Sequence, residues 1–301
     1  MRIQQIVFVG CGGTFWYALP ILSVLVKRIA PDVVWFSDGD LVNRENQGRQ
    51  WAWQPVTDDF LGSEAPRSPC VKSTKPDLAA QAFYGARDLE LEKSGEKRLL
   101  VNPWTREDDT LLFSPSGGFP SELVAFCSPS ECRVIVANVD NDATRAEIMR
   151  WLPALSNSQP TIYIDSGCDT ESGQVKIAVA AGGQFLHDWR KVHPLNLEPK
   201  KEGPTCGQDP LSNCSTAMLV GHALAWVQRE LVPVLRQTGD AHESSGVKRS
   251  ASEWFSEAIP TIPVWWWDWD NTLTEVRVWV DNEDTNPGPG EKFYDGGGEG
   301  H

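Results

Sequence analysis

Short apolar runs alternate with longer apolar segments of helical character along the first part of the chain. Ile6–Val9 and Asp32–Ser37 are predicted as buried strands, and the apolar stretch between them, Phe15–Ile29, is predicted as a helix. Fully apolar runs of this kind are typical of central strands in a parallel sheet, because both faces of such a sheet are covered. The pattern therefore predicts a strand–helix–strand unit, in which a glycine turn, Gly10–Gly13, joins strand to helix.

The same alternation continues to about residue 235. Further strands are predicted at Leu99–Val101, Arg133–Ala137, Thr161–Asp165 and Gln174–Ala181, and further helices at Pro76–Leu91, Asp142–Leu152 and Ser215–Leu235. The polar, proline-containing stretch from His187 to Asn213 predicts a long loop, and Ile259–Val280 predicts late antiparallel strand structure. We therefore predict an α/β fold: a Rossmann-like, mostly parallel sheet with helices on both faces, plus antiparallel strands near the C-terminus.

Composition divides the chain into three regions. The alternating pattern covers residues 1–235, which are predicted to form the main domain. Residues 236–280 are predicted as an extension with a mobile polar insertion and a Trp-rich strand, and residues 281–301 as a disordered, acidic, Gly-rich tail. Trp265, Trp266 and Trp267 are consecutive, and adjacent strand residues face opposite sides of a sheet. We therefore expect core packing with one or two exposed rings.

Overall charge and cysteine content exclude several classes of protein. The 301-residue chain has a formal net charge of −14, which argues against non-specific nucleic-acid binding, since that needs clustered Lys and Arg. Its seven cysteines are scattered without a C-x-x-C pair, so we expect reduced, cytoplasmic thiols rather than a disulfide framework or a four-cysteine zinc site. The apolar stretch Phe15–Val26 is shorter than the roughly 20 residues of a membrane span, so no membrane association is expected.

The glycine turn is a candidate anion-binding site. Gly10, Gly12 and Gly13 follow the first strand and open the predicted helix, where backbone N–H groups are available to a ligand. The dinucleotide-binding fingerprint has glycine at its first, third and sixth positions, and here Phe15 occupies the sixth. A tight strand-to-helix turn without any ligand is therefore the alternative interpretation.

Polar residues after the second predicted strand favour a nucleotide. The segment SDGDLVNRENQGRQ (residues 37–50) carries Asp38 about 25 residues after the glycines, at the position where an acidic residue binds a ribose. Asp40, Asn46, Arg49 and Gln50 follow. Carboxylates accept hydrogen bonds from ribose hydroxyls, whereas Arg, Asn and Gln donate to phosphates. This combination suits a nucleoside triphosphate better than a dinucleotide.

Four motifs in order resemble the ThiF/MoeB family, relatives of the ubiquitin-activating enzymes. They are the GxGGT turn, D-x-D-x-V followed by N-x-x-R-Q, a lysine (Lys75) opening the next helix, and RVIVANVDN followed by a helix carrying Arg145. TIYIDSGCDTESGQV is similar to the family's next strand, turn and strand, so the resemblance covers about residues 5–235. The region around the later cysteines resembles the ThiF subgroup of bacterial PRTRC systems.

The resemblance implies an enzyme, a ThiF-type adenylyltransferase that activates a carboxylate with ATP and Mg²⁺. The implied substrate is the C-terminal glycine of a small ubiquitin-like or sulfur-carrier protein, and a homodimer or heterodimer is implied. The implied nucleotide contacts are Gly10, Gly12, Gly13, Asp38, Asp40, Asn46, Arg49, Gln50, Lys75, Asp140 and Asn141. Of these, Arg49, Lys75 and Asp140 would act in catalysis, with Asp140 holding the metal, and residues 1–235 would form the adenylation domain.

The sequence departs from the family pattern at its N-terminal end. Phe15 replaces the last glycine of the turn and is expected to tilt the helix or narrow the pocket. In the family, a helix that precedes the first strand supplies an arginine across a dimer, and this sequence shows no helical pattern before its first strand. For transfer of the acyl group to a thiol, Cys206 in a polar loop is preferred over Cys214, which is expected at a helix N-terminus, where a thiol pKa is lowered. Two ordinary thiols are the alternative.

Simpler roles are alternatives to several of these assignments. Asp38 could cap the turn that follows it, and Asp140–Asn141 could cap the helix beginning at 142. Arg49 could be a surface residue. Lys72 is the alternative to Lys75, which is preferred because Pro76 suits the first position of a helix.

Two other functions remain open from the sequence. One is a non-catalytic subunit of a heterodimeric activating complex, which binds nucleotide or modifier without turnover. Phe15 and the missing pattern for the family's N-terminal helix favour it. The other is a nicotinamide oxidoreductase, which NADH binding would support. A small protein ending in glycine and encoded beside this chain would favour adenylation.

Overall fold

A computed structural model of the chain describes residues 1–38, 75, 79, 100–103, 130–169, 171–191, 193–195, 197, 210–236, 255, 257–259, 261–268 and 276–280. Its strands are β1 Ile3–Val9, β2 Val33–Ser37, β3 Leu100–Pro103, β4 Cys132–Ala137, β5 Thr161–Cys168, β6 Ser172–Ala181, β7 Gln184–His187, β8 Thr261–Asp268 and β9 Val276–Val280. Its helices are α1 Gly13–Ile29, α2 Asp142–Ser156 and α3 Pro210–Trp226, and α3 continues into a π-helical turn, Val227–Leu231. A short 3-10 turn spans Trp189–Lys191, and Lys75 and Ala79 are helical.

The nine strands form one sheet in the order β3-β2-β1-β4-β5-β6-β8-β9, with β7 pairing β6 off this path. Five neighbouring strands, β3, β2, β1, β4 and β5, pair in parallel. The other pairs, β5–β6, β6–β7, β6–β8 and β8–β9, are antiparallel. A strand that returns in parallel needs a crossover, and α1 supplies the crossover from β1 to β2. The predicted fold class is confirmed, including the antiparallel strands near the C-terminus.

Helices cover both faces of the sheet. α1 and α3 pack on one face, and α2 packs on the other. α1 and α3 approach closely at Gly221, where a Cβ atom would lie 2.5 Å from Cγ2 of Ile21, so only glycine fits without movement. None of the helices in the described part of the chain is both long and apolar enough to cross a membrane.

Several predicted boundaries were wrong. α3 begins at Pro210, five residues before the predicted start at Ser215. Proline has a helical φ and lacks an N–H that the first turn would leave unpaired, so it starts a helix well. β7 and the 3-10 turn lie in a stretch partly predicted as loop. Most of the predicted helix at 76–91, the mobile insertion and the tail lie outside the described residues.

The Trp-rich strand follows the predicted alternation. Trp265 and Trp267 are 1% and 6% exposed, and Trp266 between them is only partly buried. β8 pairs with β6, which places Trp267 beside α3, where its Nε1–H donates to Thr216 Oγ1 at 2.8 Å. Two of the three adjacent rings therefore pack in the core, as the prediction required. The division of the chain into a main domain and an extension stays a prediction.

Candidate functional site

The carboxyl ends of β1, β2 and β4 bring the central motif residues together. In the sheet, Ser37, Val9 and Ala137 are in register, so Asp38, Gly10 and Asn138 follow side by side. Chain connections leave β1 in opposite directions on its two sides, and in open α/β sheets the crevice at such a switch point is where ligands bind. The first part of the candidate site is therefore this edge of the sheet.

The glycine turn is shaped by two close backbone contacts. Gly10 has φ of +80°, which favours glycine, and its N–H donates to the Ser37 carbonyl at 2.8 Å. A Cβ atom at Gly10 would lie 2.6 Å from the Asn138 carbonyl oxygen. The turn therefore holds β1, β2 and β4 together, and its first glycine is required for structural reasons.

The N-terminus of α1 is open above the turn. Gly12 precedes the helix in an extended conformation, and no side chain among the described residues caps it. A Cβ atom at Gly12 would meet no described atom within 4 Å. The first N–H groups of a helix lack intrahelical partners, and they favour an anion. Gly12 therefore combines room for a ligand with the backbone N–H donors of the first turn of α1.

Asp38 is tied to the turn by its carboxylate. Its Oδ2 accepts a hydrogen bond from the Cys11 N–H at 2.6 Å. The simpler interpretation placed a cap on the turn after Asp38, and that turn lies outside the described residues. A carboxylate accepts more than one hydrogen bond, so the ribose contact stays a prediction beside the bond from Cys11.

Lys75 lies close to the same turn. Lys75 is in a helical conformation and is only 6% exposed. Burial raises the pKa of the Cys11 thiol well above its usual value, the charge of Asp38 raises it further, and the charge of Lys75 opposes both. Cys11 therefore stays protonated, and both charged side chains lie near enough to act on it. The structure thus brings Asp38 and Lys75 to one turn.

Asp140 and Asn141 occupy the turn between β4 and α2. Asn141 caps α2, because its Oδ1 accepts from the Thr144 N–H at 2.8 Å, so the capping interpretation is confirmed for Asn141. Asp140 is exposed beside it. The described residues contain no group of three or more His, Cys, Asp or Glu that could bind a metal. A single exposed carboxylate fits Mg²⁺, which is commonly held by one or two carboxylates together with substrate phosphates.

Arg145 organises the turn that carries Asp140. Its guanidinium donates to Asp165 Oδ1 at 2.9 Å, to Asp142 Oδ1 at 2.8 Å and to the Ser166 and Val139 carbonyls. A Cβ atom at Gly167 would lie 2.8 Å from Nη2 of Arg145, so glycine leaves room for the guanidinium. Burial alone would lower the pKa of Arg145, but the neighbouring carboxylates raise it above its usual value. The sequence indicated an arginine on α2 but not these partners.

α3 contributes a buried amide to the base of the turn. Asn213 is 2% exposed, and its Oδ1 accepts from Thr14 Oγ1 at 2.9 Å. Its Nδ2 would lie 2.7 Å from a Cβ atom placed on Gly13. Sequence reasoning missed Asn213, because it placed this residue in a loop. Pro210 was the available signal, since a helix starting there carries Asn213 in its first turns.

Two expectations about the site were wrong. Phe15 does not line the described part of the turn: it is fully buried, with its ring centroid 5.4 Å from that of Phe8 and 5.9 Å from that of Phe36. A tilt of α1 caused by Phe15 stays a prediction. Cys214 does not lie at a helix N-terminus, because α3 starts four residues before it. Asp40, Asn46, Arg49, Gln50 and Cys206 lie outside the described residues.

The contrast between Gly10 and Gly12 gives a first prediction. Gly10→Ala is expected to lower the free energy of unfolding by at least about 2 kcal/mol, because its φ is positive and its Cβ would meet the Asn138 carbonyl. Gly12→Ala should stay within about 1 kcal/mol of wild type. Urea denaturation of both variants checks this, and equal stability losses would contradict the described turn.

Comparisons with known proteins complete the description. No family model matches the sequence, and no curated protein matches it. The fold is similar to a crystal structure of PaaA at 14% identity and a TM-score of 0.45, over 92% of this chain and 64% of that one. It is similar to E. coli MccB solved with ATP at 12% identity and a TM-score of 0.46, over 92% and 63% respectively. TcdA (CsdL) matches at 14% identity and a TM-score of 0.41, over 76% of this chain and 88% of that one.

These three structural neighbours are ThiF/MoeB-like proteins. The chain spans less than two thirds of PaaA and of MccB. At these identities and TM-scores the likeness does not assign an activity. Any function must therefore be argued from the residues of the site.

Proposed function

We propose that this protein binds Mg-ATP at the carboxyl edge of β1, β2 and β4 and adenylates a carboxylate. One observation carries the proposal: Asp38, the glycine turn and Asp140 follow three adjacent strands at the switch point of the sheet. Lys75 is buried, and its charge acts on Cys11 in the same turn. A site for a nucleoside triphosphate needs a ribose acceptor, phosphate donors and a metal carboxylate, and these residues supply one of each kind.

The proposed binding mode follows from the order of the strands. Asp38, at the end of β2, accepts hydrogen bonds from the ribose. The triphosphate passes over Gly12, where the N–H groups of α1 are open and Lys75 supplies positive charge. Asn46 and Arg49 donate to phosphates, with Asp40 and Gln50 completing this wall. Asp140, with Asn141 beside it, would hold Mg²⁺.

The reaction is a nucleophilic displacement at phosphorus. A carboxylate oxygen of the substrate attacks the α-phosphorus, the bond to the bridging oxygen of the β-phosphate breaks, and pyrophosphate leaves with those electrons. The product is an acyl adenylate. No general base is needed, because a carboxylate is already ionised at pH 7. The cationic side chains offset the negative charge that gathers as two anions meet, and Mg²⁺ held by Asp140 would supply further positive charge there.

The acyl substrate is proposed from the sequence resemblance. It is the C-terminal glycine of a small ubiquitin-like or sulfur-carrier protein, activated by a homodimer or heterodimer in the cytoplasm. Transfer of the acyl group to Cys206 is a further proposed step, in which the thiolate attacks the acyl carbon and AMP leaves. The family resemblance and the ordered motifs support this choice of substrate.

The position of Phe15 weakens one argument for a non-catalytic subunit. This alternative rested partly on Phe15 narrowing the pocket, and this side chain instead packs against Phe8 and Phe36 in the core. No side chain in the described part of the chain caps the N-terminus of α1, and Asp38 accepts a hydrogen bond from the Cys11 N–H. Catalysis therefore remains the better proposal.

ATP–pyrophosphate exchange tests the proposal. The full chain would be incubated with Mg-ATP, labelled pyrophosphate and a neighbour-encoded small protein ending in glycine. Exchange should require the free C-terminal carboxylate and vanish when that terminus is amidated. Mg-ATP binding without exchange would favour the non-catalytic subunit, and NADH binding without ATP binding would favour the oxidoreductase.

A further inference from the structure

Asn138 is part of the wall of the glycine turn. It follows β4, and its N–H donates to the Val9 carbonyl at 2.8 Å. Its own carbonyl oxygen lies where a side chain on Gly10 would clash. The residue therefore sits between the end of β1 and the turn that carries Asp140.

The two ends of the Asn138 amide differ in their contacts. Oδ1 accepts from the hydroxyl of Ser166, on β5, at 2.7 Å. Nδ2 is buried and has no hydrogen-bond acceptor among the described residues. Leaving a buried donor unpaired destabilises a fold, so an unpaired N–H group beside a binding crevice is a sign that a ligand supplies the acceptor.

The position of Asn138 indicates which part of the nucleotide it meets. Asp38, Gly10 and Asn138 follow three adjacent strands, so Asp38 and Asn138 are roughly 10 Å apart, two strand spacings. With the ribose at Asp38, the triphosphate runs over the glycine turn toward Asn138. Phosphoryl oxygens are acceptors, and the open N-terminus of α1 favours negative charge at this place.

We propose that the side-chain amide of Asn138 donates a hydrogen bond to a phosphoryl oxygen of the bound nucleotide. This deepens the proposed function and rests on it, because it adds a phosphate-binding residue that the motif comparison did not include. Ser166 positions the amide by holding its other end. The backbone contacts of Asn138 fix its main chain beside the glycine turn.

Asn138→Asp separates binding from structure. Aspartate has the same shape and keeps an oxygen to accept from Ser166, but it loses the N–H donor and adds negative charge. In calorimetric titrations of the full chain, Asn138→Asp should weaken Mg-ATP binding at least about tenfold, since hydrogen bonds to charged groups are among the stronger ones. Adenosine binding by the folded variant should be unchanged, and Asn138→Ala, which removes the donor without adding charge, should weaken Mg-ATP binding less.

Asn157→Asp is the matched control. Asn157 is exposed at the C-terminal end of α2, at the opposite edge of the sheet, so the same charge change there should leave Mg-ATP affinity unaltered. Unchanged Mg-ATP affinity in Asn138→Asp, or an equal loss for adenosine, would overturn the phosphate contact alone. Absence of Mg-ATP binding by folded wild type would overturn the proposed function together with it.

Discussion

Asp140→Ala is expected to lower the rate of ATP–pyrophosphate exchange by about 10²- to 10³-fold while the protein stays folded. The carboxylate is exposed in the turn between β4 and α2, so its loss removes little packing. It is the described carboxylate best placed to hold Mg²⁺ against the phosphates. Exchange rates and melting temperatures of the same preparations check both parts of the expectation.

Glu230→Ala is the control for this loss of charge. Glu230 is exposed in the π-helical turn after α3, at the other end of this helix from Asn213, so the variant should exchange at the wild-type rate. If Asp140→Ala retained wild-type exchange, Asp140 would be excluded as the metal carboxylate. Stability loss shared by both variants would be a charge effect and would not concern the metal.

Arg145→Met is expected to lower the free energy of unfolding by about 3–5 kcal/mol. Arg145 is largely buried, and its removal takes the ion-pair partner from the Asp165 carboxylate, which is only 2% exposed. The Tyr163 hydroxyl and the more distant charge of Lys176 remain. The turn from Val139 to Asp142 also loses its anchor, so Mg-ATP affinity should fall with stability. Chemical denaturation and calorimetry measure the two effects.

A second substitution separates the buried charge from the packing of Arg145. Arg145→Met combined with Asp165→Asn removes the uncompensated carboxylate and should recover part of the lost stability. Arg145→Lys keeps the charge but loses the planar fork that reaches both carboxylates and carbonyls, so it should lie between wild type and Arg145→Met. A loss below about 1 kcal/mol in Arg145→Met would contradict the structural role of the cluster.

The central sheet was predictable because its signal is local. Strands covered on both faces consist of consecutive apolar residues, as in Ile6–Val9 and Val134–Ala137, and these runs stand out from their polar surroundings. The turn after β1 was predictable because its backbone geometry favours glycine, as the positive φ of Gly10 shows. The location of Asp38 at the carboxyl edge of the sheet was predictable because Asp38 directly follows the predicted strand Asp32–Ser37.

Phe15 shows where motif comparison failed. The residue was interpreted by its place in a glycine fingerprint, which predicts a steric effect on the turn. In α1 it is the third residue, and that face of the helix turns toward Phe8 and Phe36 on the sheet. The helix was predicted to start at Phe15 but starts two residues earlier, at Gly13, so Phe15 lies inside α1 rather than at its first position.

The polar contacts around the turn depend on partners far apart in sequence. Thr14 and Asn213 are separated by 199 positions, and Ser166 and Asn138 by 28. No local pattern pairs such residues, because their meeting is set by the order of strands and the packing of α3 on α1. Asn138 in particular looks like an ordinary residue at the end of an apolar run.

Calorimetric titration with ATP, in the presence and absence of Mg²⁺, tests the central claim most directly. Wild type should bind Mg-ATP at one site, and Asp140→Ala should bind it much more weakly, whereas metal-free ATP should distinguish the two proteins little. NADH should not bind. A well-folded wild type that binds no Mg-ATP, or that binds NADH instead, would contradict a nucleoside triphosphate site at the carboxyl edge of β1, β2 and β4.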